Sequence, residues 1–170
     1  MPGSLLFDAF AHHTWATMRL IDACTELDGE QLRPPVAGTY GSILETMRHL
    51  ADGDAGYLRD ITGGSEPHVD VWRMNLHELR SVMAADGEAW SRLLAGDPDP
   101  ERVVTEVDDD DGFERDAPVG LRLAQAVHHG TDHRSQICTI LTSLGIEPPA
   151  IDVWDFARQQ GRISETVRAT

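Results

Sequence analysis

The stretch that most constrains this chain is residues 121–149, LRLAQAVHHGTDHRSQICTILTSLGIEPP. It predicts one long helix closed by Gly145, with Pro148 and Pro149 just beyond to prevent its continuation. Ala126, Ile137, Ile140, Leu141 and Leu144 recur at helical spacing and mark one apolar face. His129 and His133 are four apart, so both imidazoles fall on that face, one turn from each other. Polar rings on a core-facing stripe need partners. A metal ion is one, because histidines at i and i+4 can present ring nitrogens to a single cation. Hydrogen bonds to neighbouring helices are the other, and the spacing does not choose between them.

A chain of 170 residues is long enough to bury a core and is expected to form one domain over 1–170. Hydrophobic content of 41% with charged content of 25% reads as a globular protein in water. No apolar run reaches the length of a membrane span. MPGSLLFDAF lacks a basic region ahead of its apolar residues, so no secretory signal is expected and a cytoplasmic location is. There Cys24 and Cys138 are expected to be buried free thiols. The formal charge is −15, and all 14 basic residues are arginine. Such a chain repels a phosphate backbone, which argues against nucleic-acid binding, and without lysine it has no amine for Schiff-base chemistry.

Taken in order, the chain predicts four helices and one short hairpin. The first helix spans 4–28 with Ser4 as N-cap. Leu6, Phe10, Leu20, Cys24 and Leu27 form its stripe, His13 and Thr17 fall on the same line, and Trp15, Met18 and Ile21 widen the face. Gly29 and Pro34–Pro35 end it, and the loop to Gly41 carries little information. The second begins at Ser42, with Glu45 completing a capping box, and runs to Gly63–Gly64. Ile43, Met47, Leu50, Leu58 and Ile61 make its stripe. His49 lies on the flank with Glu45, Gly53 and Gly56, which by periodicity makes it half-exposed; the glycines leave room for a cavity or a close helix approach. The third, about 70–95, carries Leu76, Leu79, Val82, Met83, Trp90, Leu93 and Leu94.

RVVTEV, DDDDG and FERDAPV then predict a short β-hairpin, with 108–111 as a solvated turn that lacks the spaced oxygens of a calcium loop. In the tail, Ile151, Val153, Trp154 and Phe156 are expected to pack back on the body. Four helices joined by short loops point to an all-α four-helix bundle with a hairpin before the last long helix.

Together GSILETMRHLADGD and AVHHGTDHRSQICTILTSLGIEPPAIDVWDF resemble the DinB/YfiT-like family, and the resemblance covers most of the chain, most weakly over 62–118. These are bacterial four-helix-bundle proteins, often dimeric, related to mycothiol- and bacillithiol-dependent enzymes. The resemblance implies a divalent metal, Zn or Ni first, held by His49 from MRHL and by His129 and His133 from HGTDHR. It also implies that the flank of His49 faces the bundle interior. Three neutral imidazoles leave a position open and the ion's charge intact, which suits activation of a water or a thiol. The function so implied is a metal-dependent thiol S-transferase or hydrolase acting on a small molecule, as a homodimer, with a thiol such as mycothiol or bacillithiol. The alternative is a non-catalytic metal-binding or ligand-sensing protein of stress response.

Residues around this motif have two readings each. Arg134 and Gln136 match the family's HRxQ pattern and would either bind an anionic group of a ligand or cofactor, or bond within the bundle. His13 would reach the open coordination position or act as general base; otherwise it is a packed core histidine. Glu45 and Gln125, one turn before His49 and His129, would accept a ligand's second N–H or stand in solvent. His128 is rotated about 100° from His129 onto the flank, and Cys138 about 140° from His133, away from the site. His12, His68 and His77 are expected at the surface.

Overall fold

Helices begin where a side chain replaces the missing backbone acceptor. The computed structural model describes residues 5–67, 69–108 and 112–166. In it Ser42 caps α3 (Ile43–Ile61) and Asn75 caps α4 (Leu76–Ala95), with Glu45 and Glu78 closing capping boxes. The third long helix therefore starts at Leu76 rather than near 70, because Asn75 accepts from the backbone of His77 and Glu78. Likewise α1 (Leu5–Cys24) stops short of 28. Asp28 caps a separate single turn, α2 (Gly29–Leu32), and so takes the chain out of the first helix. The longest helix, α5 (Val119–Ser143), ends in a Schellman motif: Gly145 has φ 73°, Ile146 N donates to Leu141 O and Gly145 N to Thr142 O. The expected cap Ser4, the turn residues 109–111 and His68 lie outside the described residues.

The fold is the expected helical bundle with one hairpin. α1 packs on α4 and α5, and α3 packs on the same two, which closes the ring. α3 and α5 run antiparallel, since His49, Tyr57 and Asp60 of α3 meet His129, Gln125 and Arg122 of α5 in reverse order.

Burial divides the interior into three levels. At one end Leu20, Ile21, Met47, Leu50, Leu79, Met83, Ile137 and Ile140 form an apolar cluster. At the other Phe10, Leu58, Ile61, Trp90, Leu123 and Ala126 form a second. Between them on every long helix sits something polar: His13 and Thr17 on α1, Asp54 on α3, Asp86 on α4, and His133 and Arg134 on α5. That middle level carries the site.

Strands β1 (Val103–Asp108) and β2 (Phe113–Pro118) pair antiparallel from Val103↔Pro118 to Asp108↔Phe113. Buried Arg122 ties the hairpin to the bundle, donating to Glu106 Oε2 at 2.9 Å, Arg115 O at 2.9 Å and Asp60 Oδ2 at 3.4 Å. The tail forms α6 (Val153–Gln159), capped by Asp152, and packs on α1. Phe156 is buried there, whereas Trp154, two residues earlier and about 200° round the helix, is 64% exposed. Val153 is exposed too, so half of the expected tail packing does not form. No helix among the described residues is long and apolar enough to cross a membrane.

Candidate metal centre

Antiparallel packing of α3 against α5 brings three imidazoles together. His49 Nε2 and His129 Nε2 are 3.1 Å apart. The ring centroids of His49, His129 and His133 are separated by 4.5 to 4.9 Å, with planes 66° to 89° apart, so the rings meet by their edges. One nitrogen from each lies within 4.8 Å of the others, and the cluster could hold a metal ion. Nitrogens bound at 2.0–2.1 Å to a tetrahedral ion stand roughly 3.3 Å apart, close to the 3.1 Å between His49 and His129.

Local sequence explains the convergence. Gly53 follows His49 by one turn, and a Cβ placed there would lie 2.5 Å from His129 Cε1. The missing side chain lets α5 come near enough for the His129 ring to rest on α3. The flank position of His49 thus faces α5 while remaining half-buried, which agrees with both the periodicity and the resemblance.

The surrounding groups orient the rings. Gln136 Oε1 lies 3.2 Å from His133 Nδ1 and also accepts from Tyr40 N at 2.8 Å. It therefore fixes the proton of His133 on Nδ1 and leaves Nε2 unprotonated, the form that ligates. Tyr40 stacks on His49 with centroids 3.9 Å apart and planes 8° from parallel. Sequence reasoning missed this tyrosine, whose one signal was an aromatic just ahead of the Ser42 cap. Of the two proposed acceptors, Glu45 spends its carboxylate on Ser42 N, and Gln125 donates to Tyr57 Oη at 3.4 Å. Among the described residues His129 Nδ1, which is buried, has no hydrogen-bond partner. Burial and the neighbouring imidazoles of His133 and His49 hold His129 down at about 4, and burial with His133 lowers His49. Both rings are therefore neutral at pH 7, as metal ligation requires.

The donor set, its spacing and its protonation all suit a divalent ion. The sequence profile of the DinB family matches residues 1–166. The chain belongs to the DinB family. Comparison with curated protein sequences found no match.

Two further candidates occupy the middle of this DinB bundle rather than its seam. His13 is fully buried, and its Nε2 donates to Asp54 Oδ2 at 2.8 Å and Oδ1 at 3.0 Å. Its Nδ1 accepts from Arg134 Nη1 at 3.1 Å. With both nitrogens engaged, His13 offers no lone pair to a cation and no free base, so it is the packed core histidine of the plainer reading. Arg134, 3% exposed, also donates to Thr17 Oγ1 at 3.0 Å and Thr131 Oγ1 at 3.1 Å. Its guanidinium bonds within the bundle, and burial lowers it to about 10. The signal for Asp54 was present but unread: an acid four residues from both Leu50 and Leu58 interrupts the apolar stripe of α3. Asp86 completes the level, pushed up to about 7 by burial and by Asp54 and Glu66.

Among the described residues, His128, His12 and the two cysteines lie apart from the three rings. His128 is exposed and meets Asp132 at 3.1 Å, on the flank as expected. His12 departs from the surface role expected of it, because the tail brings Ile151 O within 2.8 Å of its Nε2. Burial raises the Cys24 thiol to about 12 and raises Cys138 as well, so neither is primed as a nucleophile. His49 and His129 open onto a cavity of about 480 Å³ whose wall includes Asp52, Tyr57, Arg59, Asp60 and Glu106. A roomier cavity of about 630 Å³ between α1, α4 and α6 touches none of the three histidines.

Proposed function

We propose that this DinB-family protein binds one divalent metal ion per chain, Zn or Ni, through His49, His129 and His133, and acts on a small molecule held in the adjoining cavity. The observation that carries this reading is the convergence of three imidazoles, with Nε2 of His49 and His129 at 3.1 Å and Gln136 holding the far side of His133. Bound there, the ion would supply an electrophilic position at which a water or a thiol gives up its proton near neutral pH. The chain's own part is to bring three ligands together, to hold the tautomer of His133 through Gln136, to shield His49 under Tyr40, and to bind the substrate along the wall formed by α3 and the hairpin. A reaction of this kind needs no side-chain nucleophile, in keeping with the raised thiols of Cys24 and Cys138. Thiol S-transfer, with mycothiol or bacillithiol as co-substrate, and hydrolysis are the two reactions that fit. The site would serve in the cytoplasm, on small molecules rather than nucleic acid.

One feature favours a second reading, a non-catalytic metal-binding or ligand-sensing role. The cavity wall carries Asp52, Asp60 and Glu106 beside Arg59, and Arg122 behind it bonds Asp60 and Glu106. With carboxylates still in excess of guanidiniums, such a wall disfavours thiols that carry several carboxylates. Metal analysis of the purified protein, followed by a turnover screen with bacillithiol, mycothiol, glutathione and water, separates the readings. Metal-dependent turnover supports the enzyme, tight metal without turnover supports the second role, and a protein that binds no divalent metal contradicts both. We also propose a homodimer joined through helix faces, for which exposed Leu5 and Leu6 of α1 supply apolar surface. Light scattering at micromolar concentration tests it, and a monomer there rules it out.

A further inference from the structure

We propose that the buried chain Asp54–His13–Arg134 is a positioning device for the metal centre, setting how α3 and α5 present His49 to His129 and His133. The inference rests on the metal reading above. Asp54, His13 and Arg134 are 0%, 0% and 3% exposed, and they link α3, α1 and α5 in series. Stability alone does not account for such a layer. Replacing a buried ionic group by well-packed apolar residues is often neutral or stabilising, whereas its directional bonds select one arrangement of the helices.

Here the arrangement has a single polarity. Arginine can only donate, so Nδ1 of His13 accepts; the ring proton then sits on Nε2 and points at Asp54. Sliding or rotating either helix breaks a bond in a medium where no water replaces it.

Both ends of the chain adjoin the metal centre. Asp54 follows Gly53, on which the His129 ring rests, and Arg134 follows His133. Each anchor also comes five residues after a ligand, Asp54 after His49 and Arg134 after His129. That spacing is about 140° of helix, so the anchor faces inward while the ligand faces the seam. The middle of the chain touches the site's backbone too. A Cβ at Gly130, between the two ligands of α5, would stand 2.2 Å from His13 Cε1 and 2.8 Å from Arg134 Nη1. The three side chains thus fix α1, α3 and α5 together at the level where the ligand nitrogens must meet within tenths of an ångström.

The test titrates full-length protein with Co(II), reading affinity and the visible absorption of the bound ion, with thermal unfolding measured alongside. In the triple variant His13→Leu, Asp54→Val, Arg134→Met the layer is apolar and the fold is expected to persist. Its Co(II) affinity should fall by about 10- to 100-fold, the usual effect of losing outer-shell support, and the absorption bands should shift. His13→Gln, whose amide can donate to Asp54 and accept from Arg134, should stay within about threefold of the unmodified protein, by the same scale. Should the triple variant not fold, His13→Asn takes its place, since the shorter amide cannot span both partners. Unchanged affinity and unchanged bands in the folded variant that lacks the chain overturn the proposal and leave the metal reading standing. If the unmodified protein binds no Co(II), both fall.

Discussion

An inner group, His13 with its two partners, and an outer group of three histidines at the α3–α5 seam differ in who satisfies them. In the inner group the ring of His13 has a protein partner on each nitrogen, Asp54 on one and Arg134 on the other, and no exposure. In the outer group His49 and His129 turn Nε2 atoms on each other, and Nδ1 of His129 has no hydrogen-bond partner among the described residues. Residue type is the same in both. An imidazole that the chain satisfies is part of the structure, whereas imidazoles that converge on one another leave a place for a cation.

The largest expected effect breaks the outer group directly. His133→Ala should remove most of the bound metal and His128→Ala none, as measured by metal analysis; equal losses would dissolve the distinction between the seam and the flank. Next come two glycines that separate the groups. Gly130→Ala drives a methyl into His13, a buried ring with no room to move, and should cost stability, about 1–3 kcal/mol by denaturant unfolding. Gly53→Ala meets His129, which is only half-buried, so it should weaken metal binding with the smaller change in unfolding free energy. The reverse order of effects would show that the outer rings, not the inner one, carry the packing.

A smaller effect tests the inner level through pH. Burial, with Asp54 and Glu66 nearby, raises Asp86 to about 7 from an ordinary value of 3.8. The folded state then holds a proton that the unfolded chain has released, so stability falls as pH rises from about 4 to about 7 and levels off above. Asp86→Asn should remove that slope and stabilise the protein at pH 8 by on the order of 2–4 kcal/mol. Equal slopes in both proteins would remove Asp86 from the inner level. The smallest effect is on the metal itself when both cysteines are replaced. A Cys24→Ala, Cys138→Ala variant should bind metal as before, because neither thiol belongs to either group.

Much of this was legible in the sequence, because helices and their caps are local. The stripe from Ala126 to Leu141, the Ser42–Glu45 capping box and the Gly145 stop each state their element in a few consecutive residues. His129 and His133 were readable as a pair for the same reason. His49 was not, since its periodicity places it on a flank and only the resemblance to the family turns that flank inward. Tyr40, Gln136 and Asp54 needed the fold itself. Their partners lie 9, 3 and 41 residues away: His49, His133 and His13. Of these, Gln136 had been noticed; its bond to His133 is local to α5, but its bond to Tyr40 N depends on a loop that no periodicity describes. The missed boundaries at 24 and 75 have one cause, a polar side chain, Asp28 or Asn75, that competes for the helix backbone.

The most direct test of the account is anomalous scattering from crystals of the zinc-loaded protein, collected at the zinc edge. The account predicts one strong peak per chain at the α3–α5 seam, about 2.0–2.1 Å from one ring nitrogen each of His49, His129 and His133, with His13 still bonded to Asp54 and Arg134. A peak elsewhere, or none at the seam with His49 and His129 still bonded to each other, would contradict it.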